Sequence, residues 1–128
     1  MLKFDEIHSL RRSNKERIQR ALESIDGVRV VNERPEAETS WFGVPIVCED
    51  NNLKRSLVAY LEENKIQTRN YFAGNILLHP GYRDLGKASD YPNANQVLDK
   101  VFFLGCSPTI NEKMLTYIEK VIGNYVSN

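Results

Sequence analysis

The run Ser40-Trp41-Phe42-Gly43-Val44-Pro45-Ile46-Val47-Cys48 constrains the fold more than any other stretch. At the two-residue period of a strand, Phe42, Val44, Ile46 and Cys48 fall on one face, and Trp41, Gly43, Pro45 and Val47 on the other. Both faces are apolar, so this strand needs cover on at least part of each side. Pro45 cannot donate to a ladder, which predicts a bulge or an exposed edge there. Gly43 permits close approach by another chain segment or a ligand.

The cover comes from helical periodicities on either side. Ile7, Leu10, Ile18, Ala21, Leu22 and Ile25 recur at helical spacing, predicting a helix from Phe4 to Ile25 with Arg11, Lys15, Arg17 and Glu23 outside. The stripe is interrupted at Asn14, which predicts looser packing of the first half. Asp26-Gly27 closes the helix, with Gly as the residue after the C-cap. Val28 to Asn32 reads as a short strand. Glu49-Asp50-Asn51-Asn52 caps a helix from Leu53 to Asn64, with a Leu53, Leu57, Val58, Leu61 stripe and Lys54, Arg55, Glu62 and Glu63 outside. Further on, Arg83 to Pro92 is a polar loop, and Asn93 to Leu98 a short helix. Val101 to Cys106 is a buried strand. Thr109-Ile110-Asn111-Glu112 fits a capping box, opening a last helix on Met114, Leu115, Ile118, Val121, Ile122 and Tyr125. The order predicts an α+β, two-layer domain: a small, mostly antiparallel sheet with helices packed on it.

At 128 residues the chain makes one domain. Seventeen basic residues balance 17 acidic ones, so composition points to no nucleic-acid partner. No apolar run reaches the roughly 18 residues of a membrane span. The first six residues lack the apolar core of a signal peptide, which reads as a cytoplasmic chain. Cys48 and Cys106 sit in strand-like surroundings without metal-ligand spacing and read as buried, reduced thiols. His8 reads as solvated. No phosphate-binding glycine loop, zinc motif or nucleophile elbow is present, and no metal site is expected.

The stretch with the most chemistry is Lys65 to Asn75, continuing to His79-Pro80-Gly81-Tyr82. Ile66, Thr68, Asn70 and Phe72 alternate with Gln67, Arg69 and Tyr71 as in a strand, and Ala73-Gly74-Asn75 is turn chemistry. Arg69, Phe72 and Asn75, with His79 and Tyr82 as weaker candidates, bring a planar cation, a ring and an amide to one sheet edge. Such groups suit a phosphorylated or sugar-like ligand. The plainer reading of the same residues is a strand entering a surface loop, with Arg69 solvated and Phe72 in the core.

The blocks Ser40-Trp41-Phe42-Gly43-Val44-Pro45-Ile46 and Asn64 to Asn75 resemble the C-terminal part of the DegT/StrS family of nucleotide-sugar enzymes. They are most similar to its pyridoxamine-phosphate-dependent 3-dehydrase branch. That branch carries an S-W-F-G-F-P-I block and a T-R-x-x-F-A/G-G-N block. The Leu77 to Tyr82 segment matches only loosely, since a Gln-Pro-aromatic pattern is usual there.

The resemblance implies the small domain of a fold type I enzyme, its full chains roughly three times this length. The cofactor-binding large domain would lie outside this chain. With it would lie the Schiff-base Lys or its His replacement, and the iron–sulfur cluster that some dehydrases hold. The implied cofactor is pyridoxamine or pyridoxal 5′-phosphate, held mainly by that large domain. The implied reaction removes the C3 hydroxyl of a CDP- or GDP-linked 4-keto-6-deoxyhexose in O-antigen and lipopolysaccharide biosynthesis. No catalytic residue is expected in this chain, which would be inactive alone. Arg69 would meet a diphosphate or carboxylate, Phe72 would pack near sugar or cofactor, and Asn75 would hydrogen-bond the ligand. The implied partners are the large domain, the nucleotide-linked sugar and a second copy in a homodimer. The alternatives are an aminotransferase C-terminal domain, or a stand-alone binding or assembly module of the same fold.

Overall fold

A computed structural model describes residues 3–127. Its order is α1 (Phe4–Leu22), β1 (Val28–Val30), β2 (Gly43–Cys48), α2 (Asn51–Glu63), β3 (Thr68–Asn70), α3 (Pro92–Lys100), β4 (Val101–Gly105) and α4 (Glu112–Val126). The four strands form one antiparallel sheet in the order β1-β2-β4-β3. The α+β, two-layer expectation therefore holds, and β2 lies inside the sheet.

Register sorts the strand residues into two faces. Val44 and Ile46 lie opposite Leu104 and Phe102, and with Cys48 they form one face. That face packs with Ile18 and Leu22 of α1, Leu57 and Leu61 of α2, and Leu115, Val121 and Ile122 of α4 in one core. Gly43, Pro45 and Val47 lie opposite Gly105, Phe103 and Val101 and make the second face. Pro45 causes no bulge, because the pairing from Gly43 to Val47 is unbroken. Its carbonyl accepts from Val31 N–H at 3.0 Å, so its missing donor points to the side where β1 has ended at Val30.

Several boundaries differ from the sequence reading for local reasons. α1 ends at Leu22 rather than Ile25, although Ile25 stays in the core. Gly27, at φ +78°, is the turn into β1 rather than the helix terminus. Asn111, not Thr109, caps α4, its side chain accepting from Met114 N–H at 3.0 Å. Between β3 and α3 the chain makes three short 3₁₀ turns, Ile76–Leu78, Pro80–Leu85 and Ala88–Asp90. α3 begins on Pro92, whose fixed φ suits a first helical position.

The first half of α1 leaves Phe4, Ile7 and Leu10 exposed, as the interrupted stripe predicts. Asn14 is buried instead, donating to the Ser107 carbonyl at 2.8 Å. Lys15, expected outside, is also buried: its ammonium reaches Asn32 Oδ1 at 2.8 Å and lies 4.8 Å from the centre of the Trp41 ring. Lys54, likewise expected outside, is buried and donates to the Leu98 carbonyl at 2.6 Å, at the C-terminus of α3. Arg17 bridges to Glu112 and Glu119 and ties α1 to α4. His8 is not solvated; it stacks on Phe4 and faces Glu38 at 3.3 Å. Both cysteines are buried and free, and burial pushes the Cys48 thiol up to about 11. No helix among the described residues is long and apolar enough to cross a membrane.

The β1–β2 connection is held to α1 by Arg12. Its guanidinium pairs with Glu33 at 2.6 Å, while Thr39 N–H donates to the same carboxylate at 2.6 Å. The Arg12 hydrogen bond, then the Thr39 N–H, holds the Glu33 carboxyl down to about 2. A depressed folded-state value contributes stability above the ordinary carboxylate range, lost as pH falls toward 2. The melting temperature should therefore drop on acidification from about pH 5. Glu33→Gln should lower it at neutral pH and flatten that acid slope. An unchanged slope in thermal melts would remove Glu33 from the acid response.

Candidate functional site

β3 is short because the backbone turns at both ends. Lys65 before it and Phe72 after it have positive φ, 62° and 52°. Glu62, at the end of α2, accepts both the N–H and the hydroxyl of Thr68, at 2.6 and 2.7 Å. Asn70 O accepts from Phe72 N–H at 2.8 Å. These contacts occupy main-chain groups of the edge strand and discourage pairing with a further strand.

The turn at Phe72 delivers its ring to the second face of the sheet. There Phe72 lies 6.1 Å from Phe103, Phe42 5.6 Å from Phe103, and Tyr71 5.2 Å from Phe72, centre to centre. Phe72 is 71% exposed and Phe42 69%. A left-handed backbone costs a bulky residue about 1–3 kcal/mol, so tertiary contacts hold this ring outward. The reading of Phe72 as a core residue is corrected, and so is the phase at the start of β2. Because the strand begins at Gly43, Phe42 turns onto the second face while Trp41 packs against the core. Gly43 admits Phe103: a Cβ there would lie 2.7 Å from that ring and 2.8 Å from Leu104 O. A shallow hollow of about 210 Å³ remains, lined by Trp41, Phe42, Gly43, Pro45, Phe72 and Phe103.

Arg69 pairs in register with Phe103 and is exposed. Among the described residues it has no carboxylate partner within ion-pair distance; Glu62 serves Thr68 instead. The Gln67 amide, with its oxygen turned toward the guanidinium, accepts from Arg69 Nη2 at 2.8 Å. Arg69 and Phe72 thus both neighbour Phe103.

Asn75 does not join them. It is 2% exposed, accepts from Leu77 N–H at 3.0 Å, and donates to Ala88 O at 3.1 Å and Asn95 Oδ1 at 2.7 Å. Its amide is consumed in joining the 3₁₀ segment to α3, which corrects the expectation that it meets a ligand directly. His79 Nε2 lies 3.1 Å from Ala73 O, and Tyr82 is exposed on the 3₁₀ segment. Sequence reasoning missed Phe42, Tyr71 and Phe103 as members of the aromatic face. The available signal was the Phe102-Phe103 pair, since neighbours on a strand point to opposite faces.

The fold and this open aromatic face define a small domain of the kind that packs beside a larger cofactor-binding one. Residues 1–122 match the DegT/DnrJ/EryC1/StrS aminotransferase family, and the chain belongs to that family. It is 30% identical over 129 residues to the dTDP-4-dehydro-2,6-dideoxy-D-glucose 3-dehydratase of Saccharopolyspora spinosa, covering 98% of this chain and 28% of that protein. It is also 30% identical over 124 residues to the lipopolysaccharide biosynthesis protein RfbH of Salmonella typhimurium, covering 91% of this chain and 28% of that one. Among solved structures, DesV of S. venezuelae in complex with a ketimine intermediate superposes with a TM-score of 0.86 at 15% identity. That match covers 99% of this chain and 34% of DesV. The chain therefore spans under a third of the length of these curated relatives.

The described residues do not assemble a pyridoxal phosphate site. The two buried lysines are committed, Lys15 to Gln19 and Asn32 and Lys54 to Leu98 O. No group of three His, Cys, Asp or Glu side chains is placed to hold a metal among the described residues.

Proposed function

We propose that this chain is the C-terminal small domain of a nucleotide-sugar 3-dehydratase that uses pyridoxamine or pyridoxal phosphate. The enzyme removes the C3 hydroxyl of a nucleotide-linked 4-keto-6-deoxyhexose, and the cofactor and catalytic groups are held by a larger domain. The observation that carries this reading is the uncovered aromatic face with Arg69 at its edge, a guanidinium without a carboxylate partner. The face closes one side of the substrate cleft: Phe42 and Phe72 present apolar rings, and Arg69 offers two parallel N–H donors to an anionic group. Asn75 acts indirectly, by fixing the loop that carries Phe72. His79 and Tyr82 stand farther along that loop as secondary contacts. The 3-dehydratase branch is supported by both curated relatives and by the Trp41–Ile46 and Thr68–Asn75 blocks. A lipopolysaccharide or O-antigen sugar as product, a cytoplasmic setting and a homodimer go with the same reading. An aminotransferase domain is the second reading, supported by the family's description, and would use the face in the same way.

Arg69→Lys in the intact enzyme tests this. Lysine keeps the charge and loses the planar fork, so kcat/KM should fall by about 1–3 kcal/mol, roughly 5- to 150-fold, with little change in melting temperature. Unchanged kinetics with a shifted melting temperature would make Arg69 a stabilising residue and withdraw it from the site.

A further inference from the structure

A second concave surface also carries uncompensated charge. Between α2 and the β3 edge lies a groove of about 480 Å³, lined by Asn51, Lys54, Arg55, Arg69 and Asn70 and by the Phe102 ring. Three cationic residues line it and no carboxylate does. Among the described residues, neither Arg55 nor Arg69 forms an ion pair, whereas Arg12 and Arg17 do.

Lys54 is the more telling group, because it is only 7% exposed. Its ammonium donates to Leu98 O, which uses one of three N–H donors and supplies only the partial charge of a helix end. The neighbouring carboxylates do not neutralise it. Asp50 accepts from Leu53 N–H, Glu62 serves Thr68, and Asp99 acts on Lys54 only through space. Burial accordingly pushes the Lys54 pKa down, the direction for an ammonium short of counter-charge. The groove also runs along the first turn of α2, where the helix dipole favours an anion.

We propose that this groove binds the phosphate groups of a phosphorylated ligand. Arg55 and Arg69 pair with phosphate oxygens, and Lys54 supplies the buried positive charge. The inference deepens the proposed function, with which it shares Arg69, and adds Arg55 and Lys54 to the residues that select a diphosphate.

The test is titration of the chain with inorganic pyrophosphate and, separately, thymidine diphosphate, followed by backbone amide chemical shifts. Saturable shifts centred on residues 51–55 and 69–70 are expected. Arg55→Gln, a change at an exposed position, should weaken binding about tenfold or more. Arg20→Gln, on an exposed part of α1 outside the groove, should leave it unchanged. Tighter binding of thymidine diphosphate would identify a nucleotide as the source, and equal binding a bare diphosphate; either supports the groove. Non-saturating shifts, shifts spread equally over Arg20, Arg29 and Arg34, or no effect of Arg55→Gln would overturn it. Failure of Arg69→Lys to alter turnover, with pyrophosphate binding intact, would remove the substrate-cleft reading and leave the groove standing.

Discussion

Phe102→Ala should destabilise the fold by about 3–5 kcal/mol, while Phe103→Ala next to it should cost about 1 kcal/mol. Phe102 is 1% exposed, pairs with Ile46 and Asn70 across the sheet, and is the largest fully buried side chain in the core beneath α1, α2 and α4. Its removal leaves a cavity that close-packed neighbours can only partly fill. The loss is a large part of a typical stability of roughly 5–15 kcal/mol. Phe103 faces the other way, half-buried under Phe42, Tyr71 and Phe72. Truncating it takes the common platform from the aromatic face but leaves the core whole. Thermal melts should show a drop on the order of 10–20 °C for Phe102→Ala and a small one for Phe103→Ala. In the intact enzyme Phe103→Ala should still lower kcat/KM. Equal melting shifts would contradict the assignment of the two faces.

Gly74→Ala should cost about 2–5 kcal/mol, from two causes that add. Gly74 has φ +59°, where an L side chain is strained. The added Cβ would lie 2.6 Å from Leu98 Cβ, 2.8 Å from its Cδ1 and 3.1 Å from its Cα, so α3 itself would have to move. Leu98→Ala removes only the Cδ1 contact, so the double variant should recover little. Because Asn75 ties the next turn to Ala88 and Asn95, the loss should extend through residues 72–100. Hydrogen exchange should show raised amide exchange there before the β2–β4 pairing opens. A Gly74→Ala chain as stable as the parent would mean that this turn is not locked against α3.

The candidate site was partly legible before the fold was. The Thr68–Asn75 stretch declared its irregularity through Gly74 and Asn75, and Arg69 stood out as a planar cation on a short strand. Asn75 was misjudged because an amide on a loop can serve a ligand or the loop itself. Only its burial, and the arrival of Ala88 and Asn95 from later in the chain, decide which.

By itself the sequence determined the periodic elements. The Leu53, Leu57, Leu61 stripe of α2, the apolar face of α4, and the strand ending at Cys48 follow from spacings that local residues set. It also determined their order, and so an antiparallel sheet with helices on it. Tertiary structure decided phase and polarity. Alternation states that Phe102 and Phe103 point apart, or Trp41 and Phe42, but not which one meets the helices; that depends on where β2 starts and on its pairing with β4. Likewise Lys15 and Lys54 occupy polar-side positions of their helices and are buried all the same. Their ammonium groups find Asn32 and Leu98 O, 17 and 44 residues away, and no local pattern encodes a partner at that separation.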